Sequence, residues 1–165
     1  MLLAHFNGAD PSELASLLRP CIDIPRWSAE IISARPFATR EQLLTAAQGA
    51  AHPFTSDEIA AAMAHHPRIG ERARGPGQEA ALSRREQAAV DPADSAVAEA
   101  LAQGNRDYEA KFHQVFLIRA AGRGPQEILD ALHQRLHNSA EAEALIVAQQ
   151  LREIAVLRLE GVMSA

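Results

Sequence analysis

The chain is punctuated for helices from one end to the other, and that punctuation leaves little room for a sheet. "DPSELASLL" offers Asp10 as an N-cap, Pro11 at the first helical position and Glu13 as the partner of a capping box. "PRWSAEIISA" starts a helix at Pro25 that Pro36 closes. "TREQLLTAAQG" runs from a Thr39 cap, with Gln42 three residues on, to Gly49 at its C-terminal end. Thr55 and Glu58 make a further box ahead of the helix-forming run "EIAAAMAHH". "SRREQAAV" resumes helix at Ser83, and "DPADSAVAEALAQGNRDYEAKF" gives a long one from Pro92, with Gly104 as a point of interruption. Gly124-Pro125 opens another, through about His137. Ser139 caps the last, in which Leu145, Ala148, Leu151, Ile154 or Ala155, and Arg158 or Leu159 share one face and Gly161 marks the end. The only strand-like run is "QVFLIRAAG", 114–122, which periodicity cannot separate from a buried extended segment. With no internal repeat, the expected class is all-α. It is a single-domain bundle over 1–165, of seven or eight helices with one short extended segment. Residues 67–82, carrying Gly70, Gly75, Pro76 and Gly77, read as a long loop, of a length that tends to be functional or disordered.

Composition narrows the function. A chain of 165 residues, 47% hydrophobic and 22% charged, can bury a real core. Its net charge of −5 and the lack of a basic block argue against nucleic acid as a partner. The one cysteine, Cys21, excludes an intramolecular disulfide and points to a reducing compartment. Its setting, "LLRPCIDI", suits a small buried residue better than a nucleophile. No apolar run approaches the ~18 residues that a bilayer span needs. "MLLAHFNGADPSE" lacks a basic n-region, and "VMSA" is not a peroxisomal address, so a cytoplasmic location is expected, with no membrane partner.

Chemistry concentrates around "AHHPRIG". Pro67 disfavours helix at the residue before it, so His66 is expected just past the last turn, with His65 ending that turn. His65 then serves the helix dipole, while His66 opens a loop, where chemistry tends to sit. Ser83 and Glu86 have capping-box spacing. If the 67–82 loop folds back, they and Gln87 face His66 from a helix start. A carboxylate beside an imidazole raises its pKa and orients the ring, which makes a proton-transfer pair. His133 and His137 stand four apart, but "HQRLH" lacks the glutamate of the zinc signature, and solvent-facing positions explain them as well. There is no P-loop and no G-x-S-x-G elbow. No metal or organic cofactor is expected.

Taken together, His66-Pro67-Arg68-Ile69-Gly70 followed by Ser83, Glu86 and Gln87 resembles the 2-oxo-4-hydroxy-4-carboxy-5-ureidoimidazoline (OHCU) decarboxylase family. The resemblance extends through "RWSAEIISARPF", through "NRDYEAKFHQVFLIRAAGR", and through "ILDALHQRLHNSAEAEALIVAQQLREIAVLRL". It implies an all-α fold, commonly a homodimer, and cofactor-free loss of CO2 from OHCU to give (S)-allantoin in urate catabolism. It implies roles too. His66 matches the catalytic acid and Glu86 its partner. Pro67, Ser83, Glu86 and Gln87 match substrate contacts. Phe116, Leu117 and Ile118 match a run whose backbone amides line the pocket, and Arg158 matches a substrate arginine. One departure is visible: where the family usually has glycine after Phe112, this chain has His113-Gln114-Val115.

Two other readings stay open on the residues alone. In a helical interaction module, His66 would merely end a helix and Ser83/Glu86 would merely cap one. In a metal-dependent hydrolase, His133 and His137 would act with a further histidine.

Overall fold

The computed structural model describes residues 1–71, 76–90 and 94–164. Among these it has nine α-helices, one 3-10 turn at Ala88–Val90 and no strand. The helices are α1 (Leu3–Gly8), α2 (Pro11–Leu18), α3 (Pro25–Ser33), α4 (Arg40–Gly49), α5 (Ser56–Met63), α6 (Gln78–Glu86), α7 (Ser95–Phe112), α8 (Pro125–Arg135) and α9 (Ala140–Ser164). The all-α expectation holds. α1 is the helix that the count of seven or eight leaves out: it carries no side-chain cap, and only Phe6 is buried.

The chain divides into two compact units, one made of 1–62 with 152–164, the other of 63–151. The first unit is built on cap chemistry read directly from sequence. The Asp10 carboxylate accepts from Ser12 N–H at 2.8 Å, and Thr39 Oγ1 accepts from Gln42 N–H at 3.2 Å. Thr55 and Glu58 close a reciprocal box: Glu58 N–H donates to Thr55 Oγ1 at 3.1 Å, and Thr55 N–H donates to Glu58 Oε1 at 2.8 Å. Trp27 is fully buried, and its indole N–H donates to the Ala47 carbonyl at 2.9 Å, so α3 packs toward α4 with that polar atom satisfied. Each large side chain buried here, such as Trp27, Leu14, Ile31 or Leu43, contributes about 1.5–3 kcal/mol. Gly49 ends α4, but the left-handed residue beyond it is Ala51, at φ 53°. Cys21 is buried, as its apolar setting predicts.

In the second unit, α7 and α8 pack around Ile69, Leu101, Tyr108, Phe116, Ile118, Ile128 and Leu132. Gly104 does not interrupt α7. It is a contact point, because a Cβ there would lie 2.3 Å from Leu132 Cδ2. Pro92, the expected start of this helix, lies outside the described residues, as do residues 72–75 of the expected loop; Asp94 caps α7 by accepting from Ala96 N–H at 2.8 Å. The 67–82 loop is shorter than expected, since α6 already begins at Gln78.

α9 also departs from expectation. Leu145 is 75% exposed, and the buried face of the first turns runs through Glu143, Val147 and Gln150 before it joins Leu151, Ile154, Ala155, Arg158 and Leu159. Gly161 does not stop the helix, which runs on to Ser164.

Candidate active site

The local structure of the histidine motif follows from its proline. α5 ends at Met63, Ala64 and His65 form a turn, and His66 lies outside the helix with its N–H donating to the Met63 carbonyl at 3.1 Å. Its side chain is half-buried. The next turn reverses at Gly70, whose φ of +91° glycine adopts without a Cβ penalty.

Three contacts pin that turn. Arg68 Nε donates to Glu109 Oε1 at 2.6 Å, and Asn105 Nδ2 donates to the Ile69 carbonyl at 2.9 Å; both partners lie on α7. From the other side, Gly70 N–H donates to Gln87 Oε1 at 3.1 Å. His65 Nδ1 also lies 4.0 Å from Glu79 Oε2 on α6. The two halves of the motif, 17 residues apart at the Gly70–Gln87 bond, therefore meet.

They do not meet as the spacing suggests. Ser83 and Glu86 do not form a capping box, because Gly77 is the N-cap of α6 and Ser83 is buried inside the helix. Glu86 is its last residue and half-buried, and Gln87 follows as C-cap, its N–H donating to the Ser83 carbonyl at 3.1 Å. Ser83, Glu86 and Gln87 share a face through i, i+3, i+4 spacing, at the end of a helix rather than its start.

The strand-like run is neither helix nor strand at 115–120. Phe116, Leu117 and Ile118 are buried in succession, at 1, 3 and 5% exposure, which a one-sided strand would not allow. The segment starts from His113, which ends α7 at φ 59° in the left-handed region. That conformation explains why glycine suits this position and marks the departure as a strained one.

Behind the segment lies a charged cluster that sequence reading misses. Arg135 Nη1 donates to the Leu117 carbonyl at 2.6 Å, and Arg135 Nε donates to Glu143 Oε1 at 2.8 Å. The Tyr108 hydroxyl donates to the same carboxylate at 2.5 Å. Burial, and then the bond to Glu143, hold the Tyr108 phenol well above its ordinary pKa, so it stays a donor. The available signal was the register of α9, where Glu143 sits four residues before Val147 and eight before Leu151.

Arg158 belongs to the first unit, where it is buried and donates from Nη1 to the Pro20 carbonyl at 2.9 Å. His133 and His137 are both exposed, and α8 stops at Arg135, so the two do not share a helix. Among the described residues, no group of three or more His, Cys, Asp or Glu side chains is arranged to hold a metal ion, and no helix is long and apolar enough to cross a membrane.

Known proteins resemble this chain along its length. It is 28% identical over 148 residues to the uric acid degradation bifunctional protein TTL of Arabidopsis thaliana, covering 87% of this chain and 45% of that protein. It is 23% identical over 160 residues to a 2-oxo-4-hydroxy-4-carboxy-5-ureidoimidazoline decarboxylase of Haloferax volcanii, covering 96% and 94%. The fold matches the crystal structure of an OHCU decarboxylase in the presence of (S)-allantoin, with a TM-score of 0.69 at 23% identity over 95% of this chain and all of that one. It also matches an (S)-allantoin synthase, with a TM-score of 0.71 at 17% identity over 98% of this chain and 54% of that one. The OHCU decarboxylase family model fits residues 7–160, from the end of α1 to near the end of α9, and this chain is therefore a member of the OHCU decarboxylase family.

Proposed function

We propose that this protein decarboxylates OHCU to (S)-allantoin without a metal or organic cofactor, with His66 as the general acid and Glu86 as the residue that orients it. The observation that carries the reading is the bond between Gly70 and Gln87, which joins the histidine turn to the end of α6. Pro67, Ser83 and Gln87 contact substrate beside His66, and the backbone amides of Phe116–Ile118 line the pocket.

The substrate supplies its own electron sink. As the bond to the carboxylate breaks, its electron pair flows toward the adjacent C=N, and CO2 leaves. A proton delivered to one face then sets a single configuration. The protein has three tasks: turn the carboxylate out of the ring plane, stabilise the developing charge, and deliver that proton. Backbone N–H groups near Ile118, with Gln87, serve the second. His66 serves the third, a contribution of about 10²–10⁴ in rate. A cation clamped on the leaving carboxylate would stabilise the ground state as much as the transition state. The same reading takes 1–165 as one functional domain, active as a homodimer in the cytoplasm; light scattering of the purified protein tests the dimer.

The test uses OHCU generated freshly from urate with urate oxidase and hydroxyisourate hydrolase. Ultraviolet decay of the substrate is followed alongside the circular dichroism of the allantoin. Fast decay to one enantiomer is expected from the native protein, with a loss of about 10³-fold in kcat for His66→Ala at unchanged helicity. Decay at the spontaneous rate with native protein would overturn the reading.

A further inference from the structure

The buried cluster of Arg135, Glu143 and Tyr108 calls for an explanation that stability does not supply. Glu143 is fully buried, and Arg135 is 7% exposed. Removing such a pair from water costs several kcal/mol per ion, and packed apolar side chains of the same volume are often as stable or more so. What apolar side chains cannot do is hold a backbone carbonyl. Arg135 directs its guanidinium at two targets, the Glu143 carboxylate and the Leu117 carbonyl, while its Cζ lies 4.4 Å from the Phe116 ring centroid. Glu143 is itself fixed by Tyr108 on one oxygen and by Asn138 Nδ2 on the other, at 3.0 Å. Two residues along, Arg119 N–H donates to Gln150 Oε1 at 2.8 Å.

These two backbone bonds set a direction. In an extended chain, residues i and i+2 present their N–H and C=O groups to one edge, and residue i+1 presents its own to the other. Leu117 C=O is held by Arg135 and Arg119 N–H by Gln150, so the backbone is fixed on both sides of Ile118.

We propose that Arg135, backed by Glu143 and Tyr108 and assisted by Gln150, is a positioning residue that locks the 116–119 backbone so that the Ile118 N–H is aimed at the substrate. The inference rests on the decarboxylase reading, in which that amide stabilises developing charge. Arg135 touches no reacting atom. Its planar fork engages a carboxylate and a carbonyl at once, which a lysine ammonium cannot do in the same geometry.

The test pairs kinetics with amide hydrogen exchange of residues 117–119 in the native protein, Arg135→Lys and Tyr108→Phe. In folded Arg135→Lys, kcat is expected to fall about 10²-fold with KM within about threefold, and exchange at Ile118 and Arg119 to accelerate. Tyr108→Phe keeps the ring and removes one bond to Glu143; a loss of about tenfold in kcat is expected, and this variant carries the test if Arg135→Lys does not fold. Native kcat and unchanged exchange in the folded variants would overturn the proposal and leave the decarboxylase standing. A rate loss that only tracks the unfolded fraction would overturn it too. Native protein that fails to consume OHCU would overturn the functional reading itself, and the proposal with it.

Discussion

Each compact unit contains an arginine–glutamate pair, and the two are built to different ends. Arg26 and Glu58 meet at 2.8 and 3.0 Å, with side chains 41% and 18% exposed. The same guanidinium reaches the carbonyls of Ala51 and Pro53, and the same carboxylate closes the box with Thr55. That pair staples a surface corner. Water can take over much of its work if it breaks, so its value shows mainly as a response to pH. Arg135 and Glu143, whose side chains are 9% and 1% exposed, have no such fallback. Breaking that pair strands a charge in the core. A wet pair tunes stability, whereas a dry one dictates geometry.

The sharpest way to break this contrast is Glu143→Ala. It is expected to cost about 3–5 kcal/mol in urea denaturation, because Arg135 stays buried without its carboxylate. A loss below about 1 kcal/mol would place Glu143 with Glu58. The double change Arg135→Met with Glu143→Leu sharpens the same point: stability largely returns while kcat stays low.

Next in size is Gly104→Ala. A methyl group there would lie 2.3 Å from Leu132 Cδ2, so the buried Leu132 side chain must change rotamer or α7 and α8 must separate. The expected loss is about 1–3 kcal/mol, largely recovered by Leu132→Ala on the same background.

Glu58→Gln probes the wet pair. The bond from Arg26, foremost among the causes, lowers the Glu58 carboxyl from 4.5 to about 2. A folded value below the unfolded one means that the stabilisation is complete above about pH 4.5 and is lost as pH falls toward 2. Thermal melts should show Tm lower by about 3 °C at neutral pH in the variant, and a flatter decline across that acid window.

The smallest effects concern the left-handed residues, one per unit. Ala51, at φ 53°, has its N–H held by Glu30 at 2.6 Å, and His113, at φ 59°, donates to the Glu109 carbonyl at 2.9 Å. Ala51→Gly and His113→Gly should each stabilise by about 0.5–1 kcal/mol by relieving the Cβ contact. An unchanged Tm in both would show that the surrounding bonds already absorb the strain.

Legibility in the sequence followed the range of the forces. Asp10, Thr39, Thr55 and Ser139 are caps whose partners lie two or three residues away, so spacing alone found them. The same rule misled at Ser83 and Glu86, because the spacing of a capping box also occurs within a helix, and Gly77 had already capped α6. Gly104 looked like a flaw because its reason, Leu132, lies on another helix. Helical spacing puts Leu145 on the face of Leu151, but the buried face starts from Glu143, which is bonded to Tyr108 and Arg135. The histidine motif was legible through Pro67 and its family resemblance. The cluster behind Phe116–Ile118 was not, since its members are scattered from 108 to 150.

The first compact unit is discontinuous in sequence. Arg152 donates to the Ala50 carbonyl across 102 residues, and Arg158 donates to the Pro20 carbonyl across 138. On a ribosome that adds about 5–20 residues per second, α1–α5 therefore emerge several seconds before the helix that completes their core. The intervening segment, 63–151, is a compact unit of its own. α1–α5 are thus completed only after 63–151 has been made, when Arg152 and Arg158 arrive to take the Ala50 and Pro20 carbonyls.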